Sequence, residues 1–172
     1  MSNCLETERK YLIRKPNFQL LSGLAGYTVS DIEQIYLDEK DGLTRRVRMR
    51  KYADRVEYTE NTKRRISKMT CIENETEITK ERYIELKSEI ASDCSPLYKR
   101  RHTFSYLGET LEIDEYPGFL HSAILEVELK SEDTIPAFPE FIEIIAEVTG
   151  DKKYSNHSMA KCFPDEKHIG YL

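Results

Sequence analysis

The sequence predicts an α+β protein built around one mainly antiparallel β-sheet. Seven or eight short strand-like segments follow one another through turns rather than helices, which argues against a βαβ wind. Only two stretches show sustained helical spacing. At least six of the strand-like segments place charged residues at every second position, opposite apolar ones. Side chains alternate across a strand, so each of these segments has one charged face and one apolar face.

The first strand spans 4–13. Glu6, Glu8 and Lys10 share one face of it, where a strand that hides that face would carry apolar residues. Such a face meets water or lines a cavity that needs charge. Pro16 ends the extended run, and 17–25 reads as a short helix closed by Gly26. A strand over 32–37 leads to the turn signal Asp41-Gly42. The next strand carries Arg46 and Arg48 on one face, with Val47 and Met49 on the other. It breaks near Ala53-Asp54, and another strand runs over 55–63, ending at Lys63. The segment 73–78 holds Glu73, Glu75 and Glu77, and the spacing leaves open which of the three face a common interior.

Thr79 is placed to cap a helix over 79–91, with Tyr83, Leu86, Lys87 and Ile90 at helical spacing. Strands over 99–106 and 109–116 form a hairpin about Leu107-Gly108. Lys99 and Arg101 lie in its first arm, Glu112 and Asp114 in its second. The strand over 124–130 alternates Leu125, Val127 and Leu129 with Glu126, Glu128 and Lys130. A second helix is expected over 139–149, with Phe141, Ile142, Ile145 and Val148 as its buried stripe. Pro139 suits its first turn and Gly150 its C-terminal cap. A short element over 155–161 begins at Ser155 or Asn156 and ends at Lys161.

A sheet with one wet face also alternates apolar and polar residues. The feature that face does not explain is segregation by sign. Acids gather as Glu6/Glu8, Glu73/Glu75, Glu112/Asp114 and Glu126/Glu128, and bases as Arg46/Arg48 and Lys99/Arg101, with Lys63 alone. Like charges at i and i+2 repel, and folding alone gives no reason to collect them. A closed sheet whose interior holds both a cation and a polyanion does. Paired carboxylates suit a hard divalent ion such as Mg²⁺ or Mn²⁺. Arginine and lysine suit phosphate oxygens.

Other classes are less favoured. The net charge of −5, from 26 basic and 31 acidic residues, offers no general pull toward nucleic acid. No apolar run approaches the ~20 residues of a membrane helix, and the N-terminus lacks a signal-peptide core. Four scattered cysteines, with no C-x-x-C pair, point to a reduced, cytoplasmic setting. His102, His121, His157 and His168 share no metal-ligand spacing and read as surface or packing residues. Arg45, Arg50 and Arg100 read as exposed partners of the acidic surface. There is no G-x-x-x-x-G-K loop to support a P-loop mechanism. The 172 residues suit a single domain over 1–172.

The ordered motifs resemble the CYTH superfamily, the triphosphate tunnel metalloenzymes. Glu6-Thr7-Glu8-Arg9-Lys10 fits its ExExK signature, and Arg46-Val47-Arg48 resembles its RxR strand. Thr62-Lys63, Glu73-Asn74-Glu75, Lys99-Arg100-Arg101, Glu112-Ile113-Asp114 and Glu126-Val127-Glu128 follow in the family's order. The segment from Ser155 to Lys161 is similar to its C-terminal lysine-bearing piece. Cys71 stands where the family often has an arginine, and Asn61-Thr62-Lys63 is less apolar than usual.

The resemblance implies an eight-stranded antiparallel barrel forming a tunnel, with helices outside. It implies a divalent-metal-dependent triphosphatase, with inorganic triphosphate as the expected small-molecule substrate and pyrophosphate and phosphate as products. In-class rivals are a nucleoside or thiamine triphosphatase and a class IV-type adenylate cyclase; a polyphosphate-binding module is the non-enzyme rival. Lys10, Arg46, Arg48, Lys63, Lys99, Arg101 and Lys161 are then the triphosphate ligands. Glu6, Glu8, Glu126 and Glu128 are the metal ligands, with Glu6, Glu8 and Lys10 catalytic. Glu73, Glu75, Glu112 and Asp114 are further tunnel carboxylates. A monomer or homodimer is expected, with no nucleic-acid or membrane partner.

Overall fold

The alternating segments do become strands, and they close on themselves. The structure, a computed structural model, describes residues 4–166. Its barrel strands are β1 (Cys4–Arg14), β2 (Thr28–Lys40), β3 (Leu43–Lys51), β4 (Val56–Arg65), β5 (Thr70–Glu77), β6 (Leu97–Tyr106), β7 (Glu109–Glu115) and β8 (Ser122–Glu128). Neighbours run β5-β4-β3-β2-β6-β7-β8-β1, and β1 also pairs with β5, which closes an eight-stranded antiparallel barrel. Tight turns join the hairpins as expected. Asp41 and Gly42 (φ 54° and 70°) link β2 to β3, and Leu107 and Gly108 (φ 50° and 88°) link β6 to β7. Both central residues have positive φ, the geometry that matches strand twist in a two-residue hairpin.

The expected second helix is absent. Within 139–149 the regular element is β9 (Ile144–Glu147), an extra strand on the outside of the barrel. The cause lies in β1. One edge of β1 pairs with β5 only over Cys4–Thr7, so its backbone groups from Tyr11 onward need another partner. β9 supplies it, with Tyr11, Leu12 and Ile13 opposite Glu147, Ala146 and Ile144. The stripe read as helical is instead shared out: Ile142 joins one apolar cluster and Val148 another.

The helices that do form are short. In α1 (Lys80–Lys87), the Thr79 hydroxyl accepts from the Arg82 amide, the expected cap. Tyr83 and Leu86 of α1 pack on Ile35, Leu37 and Val47, on the outer face of β2 and β3. The helix stops before Ile90, which bridges to Leu37. Residues Phe18–Gly23 form a 3-10 turn rather than an α-helix. In α2 (Asn156–Lys161), the Ser155 side chain accepts from the Ser158 amide.

Face parity positions the site. Ala123, Leu125 and Val127 of β8 point outward into a buried cluster with Tyr11, Ile13 and Phe104. Glu126 and Glu128 point the other way. Further along the same inner faces, Leu12 and Ile124 replace charge with apolar surface. They pack with Tyr36, Leu97 and Tyr116 against Met159 and Ala160 of α2. Burying each such side chain contributes roughly 1.5–3 kcal/mol, so this end of the lumen is closed by core packing.

Candidate functional site

Within the barrel lies a cavity of about 810 Å³. β1 lines it with Glu6, Glu8 and Lys10, and β3 with Arg46, Arg48 and Arg50. β4 adds Asn61 and Lys63, β5 adds Glu73 and Glu75, and β6 adds Arg101. Glu112 of β7 and Glu126 and Glu128 of β8 complete the charged wall. Strand register brings them together. Lys10 stands opposite Glu126, and Glu8 opposite Glu128. Lys63 stands opposite Glu73, and Glu112 opposite Glu126.

Two networks result. In the first, Arg101 is a hub. Its Nε and Nη2 donate to Asp114 at 2.7 Å each, Nη2 also donates to Glu126 at 2.6 Å, and Nη1 donates to Glu112. Lys10 Nζ lies 2.7 Å from Glu126. In the second, Glu73 is the hub. It accepts from Arg46 Nη2 at 3.1 Å and from Asn61 Nδ2 at 2.8 Å, and it contacts Lys63. Burial would raise the Glu73 carboxyl, but Arg46 and Lys63 outweigh it and hold the group at about 2. Burial likewise opposes ionisation of Glu126, yet Lys10 and Arg101 hold it well below the ordinary carboxylate range.

Some groups in the cavity lack what they need. Arg48 is buried among Arg46 and Arg50, and burial together with these neighbours pulls its guanidinium down to about 10. Among the described residues its one ion-pair partner, Glu75, is 3.7 Å away. The Nε atoms of Arg46, Arg48 and Arg50 are all buried without a hydrogen-bond acceptor. Orphaned buried donors are rare, and three at alternate positions on one strand are donors that an anion could satisfy. The opposite shortage occurs among the acids. Glu128 has no ion pair among the described residues, and burial plus Glu112 and Glu8 raise its carboxyl. The cation nearest Glu8 is Lys63 at 4.0 Å. Carboxylates crowded without a cation, with oxygen donors only, fit a hard divalent ion. Burial, then Glu73 beside it, pushes Glu6 up to about 7. The donor atoms of Glu6, Cys71 and Glu73 lie within 4.8 Å of one another.

Not every expected residue reaches this cavity. Lys99 and Asp114 form a fully buried pair at 2.5 Å outside its lining, and Lys99 borders a second cavity of about 450 Å³ with Tyr116 and Ile32. Burial and Arg101 outweigh Asp114 and lower the Lys99 amine to about 8. Lys161 is not brought to the lumen: at the C-terminal end of α2 it pairs with Asp93 at 2.7 Å. Of the 73/75/77 ladder, Glu73 and Glu75 line the cavity and Glu77 does not.

Arg50 corrects its expectation as an exposed partner, because it lines the cavity as the third arginine at i, i+2 spacing. That alternation was the available signal. Arg45 and Arg100 do pair with surface acids, Glu60 and Asp31. Asn61, which spacing did not mark, joins the Glu73 network. His157 lines the cavity and stacks on Tyr36 at 4.7 Å, whereas His102 is packed between Tyr27 and Glu115. His168 lies outside the described residues. Among the described residues, no helix is long and apolar enough to cross a membrane, and all four cysteines are free.

No family model and no curated relative matches the chain. Solved structures do. The inorganic triphosphatase NE1496 is 26% identical, the match covers 92% of this chain and 96% of that one, and the TM-score is 0.55. The PH1819 protein from Pyrococcus horikoshii OT3 is 22% identical over 74% of this chain and 80% of that one, with a TM-score of 0.58. A candidate adenylate cyclase from Vibrio parahaemolyticus is 19% identical over 76% of this chain and 80% of that one, with a TM-score of 0.51. The last two likenesses are of fold.

Proposed function

We propose that this chain, a member of the CYTH superfamily of triphosphate tunnel proteins by fold and motif order, hydrolyses inorganic triphosphate to pyrophosphate and phosphate inside its barrel. The observation that carries this is the row of buried, acceptor-less Nε donors on Arg46, Arg48 and Arg50, facing a wall of carboxylates. The similarity to an inorganic triphosphatase at 26% identity favours the same substrate class.

Arg46, Arg48, Arg50 and Lys63 bind phosphate oxygens from one side of the lumen, and Lys10 and Arg101 from the other. All but Arg50, which bonds to the Tyr52 hydroxyl, exchange part of their carboxylate contact for phosphate, so a polyanion enters without leaving buried cations unpaired. Lys99 acts from behind this wall, through Asp114 and Arg101, and Lys161 lies beyond reach in the conformation described. Glu8, Glu126 and Glu128, with Glu6 nearby on β1, would hold a divalent ion, Mg²⁺ or Mn²⁺, which when bound neutralises charge on phosphate oxygens. Glu6, titrating near neutrality, takes the proton from the attacking water, and Glu8 orients that water. Phosphoryl transfer of this kind rests on positioning and electrostatics more than on covalent help.

The test is phosphate release from inorganic triphosphate, ATP and thiamine triphosphate in parallel, with Mg²⁺, with Mn²⁺ and with chelator. Release should be strongest with inorganic triphosphate, require metal and be lost in Glu8→Gln. Ligand-induced stabilisation without release in any condition would make the protein a polyphosphate-binding module. The Tyr36–His157 stack in the lining favours a second reading, an organic triphosphate, which preferential turnover of ATP or thiamine triphosphate would establish.

A further inference from the structure

We propose that the barrel wall between β1 and β5 contains a second, softer metal site, in which Glu6, Cys71 and Glu73 bind a thiophilic divalent ion of the Zn²⁺, Cd²⁺ or Co²⁺ type. It adjoins the all-oxygen set around Glu8, Glu126 and Glu128 through Glu6, and differs from that set by its thiol and by Glu73. Register places Glu6 directly opposite Cys71 on the adjacent strand, so their side chains leave the sheet on the same side. Glu73 follows two residues later on that face. The three donor atoms lie within 4.8 Å of one another, and Cys71 Sγ is already 3.6 Å from a Glu73 oxygen. A tetrahedral ion with bonds of about 2.0–2.3 Å wants its donors about 3.3–3.8 Å apart, so small side-chain rotations close the set.

An independent observation at the same place is Asn61. It is 1% exposed, its Nδ2 donates to Glu73, and its Oδ1 is buried without any donor. A buried acceptor left unpaired calls for a missing partner. Asn61 adjoins the cluster through its bond to Glu73, so this unpaired oxygen is the candidate fourth donor, directly or through a water. Glu6 holds no ion pair among the described residues and opens onto the cavity, which gives an entry path. Lys63 now sits on Glu73, and Glu8 stands 4.0 Å from its amine as the alternative anion when an ion takes its place.

The donor set decides the metal. A thiolate among carboxylates favours zinc-like ions, whereas Mg²⁺ and Mn²⁺ prefer oxygen alone. On binding, the Cys71 S–H bond breaks, the sulfur–metal bond forms and the proton passes to solvent. Occupancy would also withdraw Glu6 and Glu73 from the lumen, so thiophilic ions should inhibit phosphate release. That consequence rests on the triphosphatase reading; the site itself does not.

The experiment is Co²⁺ titration of the full chain under reducing conditions without thiol chelators, read as thiolate-to-cobalt charge-transfer absorption in the near ultraviolet. The expected result is one ion per chain with that band, displaced by Zn²⁺ and unaffected by a hundredfold excess of Mg²⁺. The band should vanish in Cys71→Ser, persist in Cys4→Ser, and need at least about tenfold more Co²⁺ in Glu6→Gln. Absence of the band in the unaltered protein, or its survival in Cys71→Ser, would overturn the proposal. Because the wild-type spectrum decides, misfolding of a variant cannot rescue the idea. An intact band with no triphosphate hydrolysis would refute the proposed function and leave this site standing.

Discussion

The Glu73 carboxylate has four partners, Arg46, Asn61, Lys63 and Cys71, while the Glu6 carboxylate beside it has no ion pair among the described residues, and the lumen is uneven in this way residue by residue. Its cations differ in the same way. Arg46 faces the cavity with an idle Nε, whereas Lys161 is held by Asp93 at 2.7 Å. Arg46→Ala should therefore weaken triphosphate binding by at least tenfold, about 1.4 kcal/mol, in a calorimetric titration. Lys161→Ala should leave that affinity within about twofold, roughly 0.4 kcal/mol. A large loss in Lys161→Ala would mean that α2 swings its lysine inward on binding. Outside the lumen, Glu33 offers a pH test. It accepts from Lys87, Tyr83 and Tyr98 at 2.5, 2.9 and 3.0 Å. Burial would raise its carboxyl, but these bonds win and lower it from the ordinary 4.5. The folded state thus holds this proton less tightly than the unfolded one. The stabilisation is complete above the unfolded value and is lost as pH falls through the folded one. Chemical denaturation across that range should show a flatter acid limb in Glu33→Gln than in the parent.

Elements obey local rules until an edge needs covering. The hairpin turns, the Thr79 cap and the Ser155 cap were all legible, because each depends on residues within one turn of chain. The segment 139–149 was not. Its apolar spacing fits a helix, yet the bare edge of β1 recruits it as a strand, and nothing local announces that edge. The Leu107-Gly108 turn leaves a local conflict in place. Leu107 is 78% exposed and holds φ at 50°, a region where a leucine side chain crowds its own backbone. Leu107→Asn should stabilise the fold by up to about 1 kcal/mol, because asparagine tolerates this conformation and suits the turn. Thermal unfolding would read this as a higher midpoint, and a lower one would show that the leucine makes a contact worth more than the strain.

For the whole molecule, a barrel that buries this many like charges gains most when filled. Ligand at a hundred times its dissociation constant adds about 2.7 kcal/mol. For a domain of this size that raises the melting midpoint by about 5–10 °C. Inorganic triphosphate should produce such a shift in the turnover-deficient Glu8→Gln protein, and an unmoved midpoint would return the charged strands to an ordinary polar lining. The sequence by itself marked the barrel strands, their charged and apolar faces, and the segregation of sign, since face parity has a period of two residues and is a local property. It therefore marked Glu6, Glu8, Lys10, Arg46 and Arg48, and the same rule reaches Arg50. Only the tertiary structure decided how those charges are used. Register and closure set Lys99 and Asp114 behind the wall, leave Lys161 on Asp93, and bring Cys71 against Glu6 across 65 residues of chain. Pairing between distant strands is a property of the closed barrel, and no window of sequence contains it.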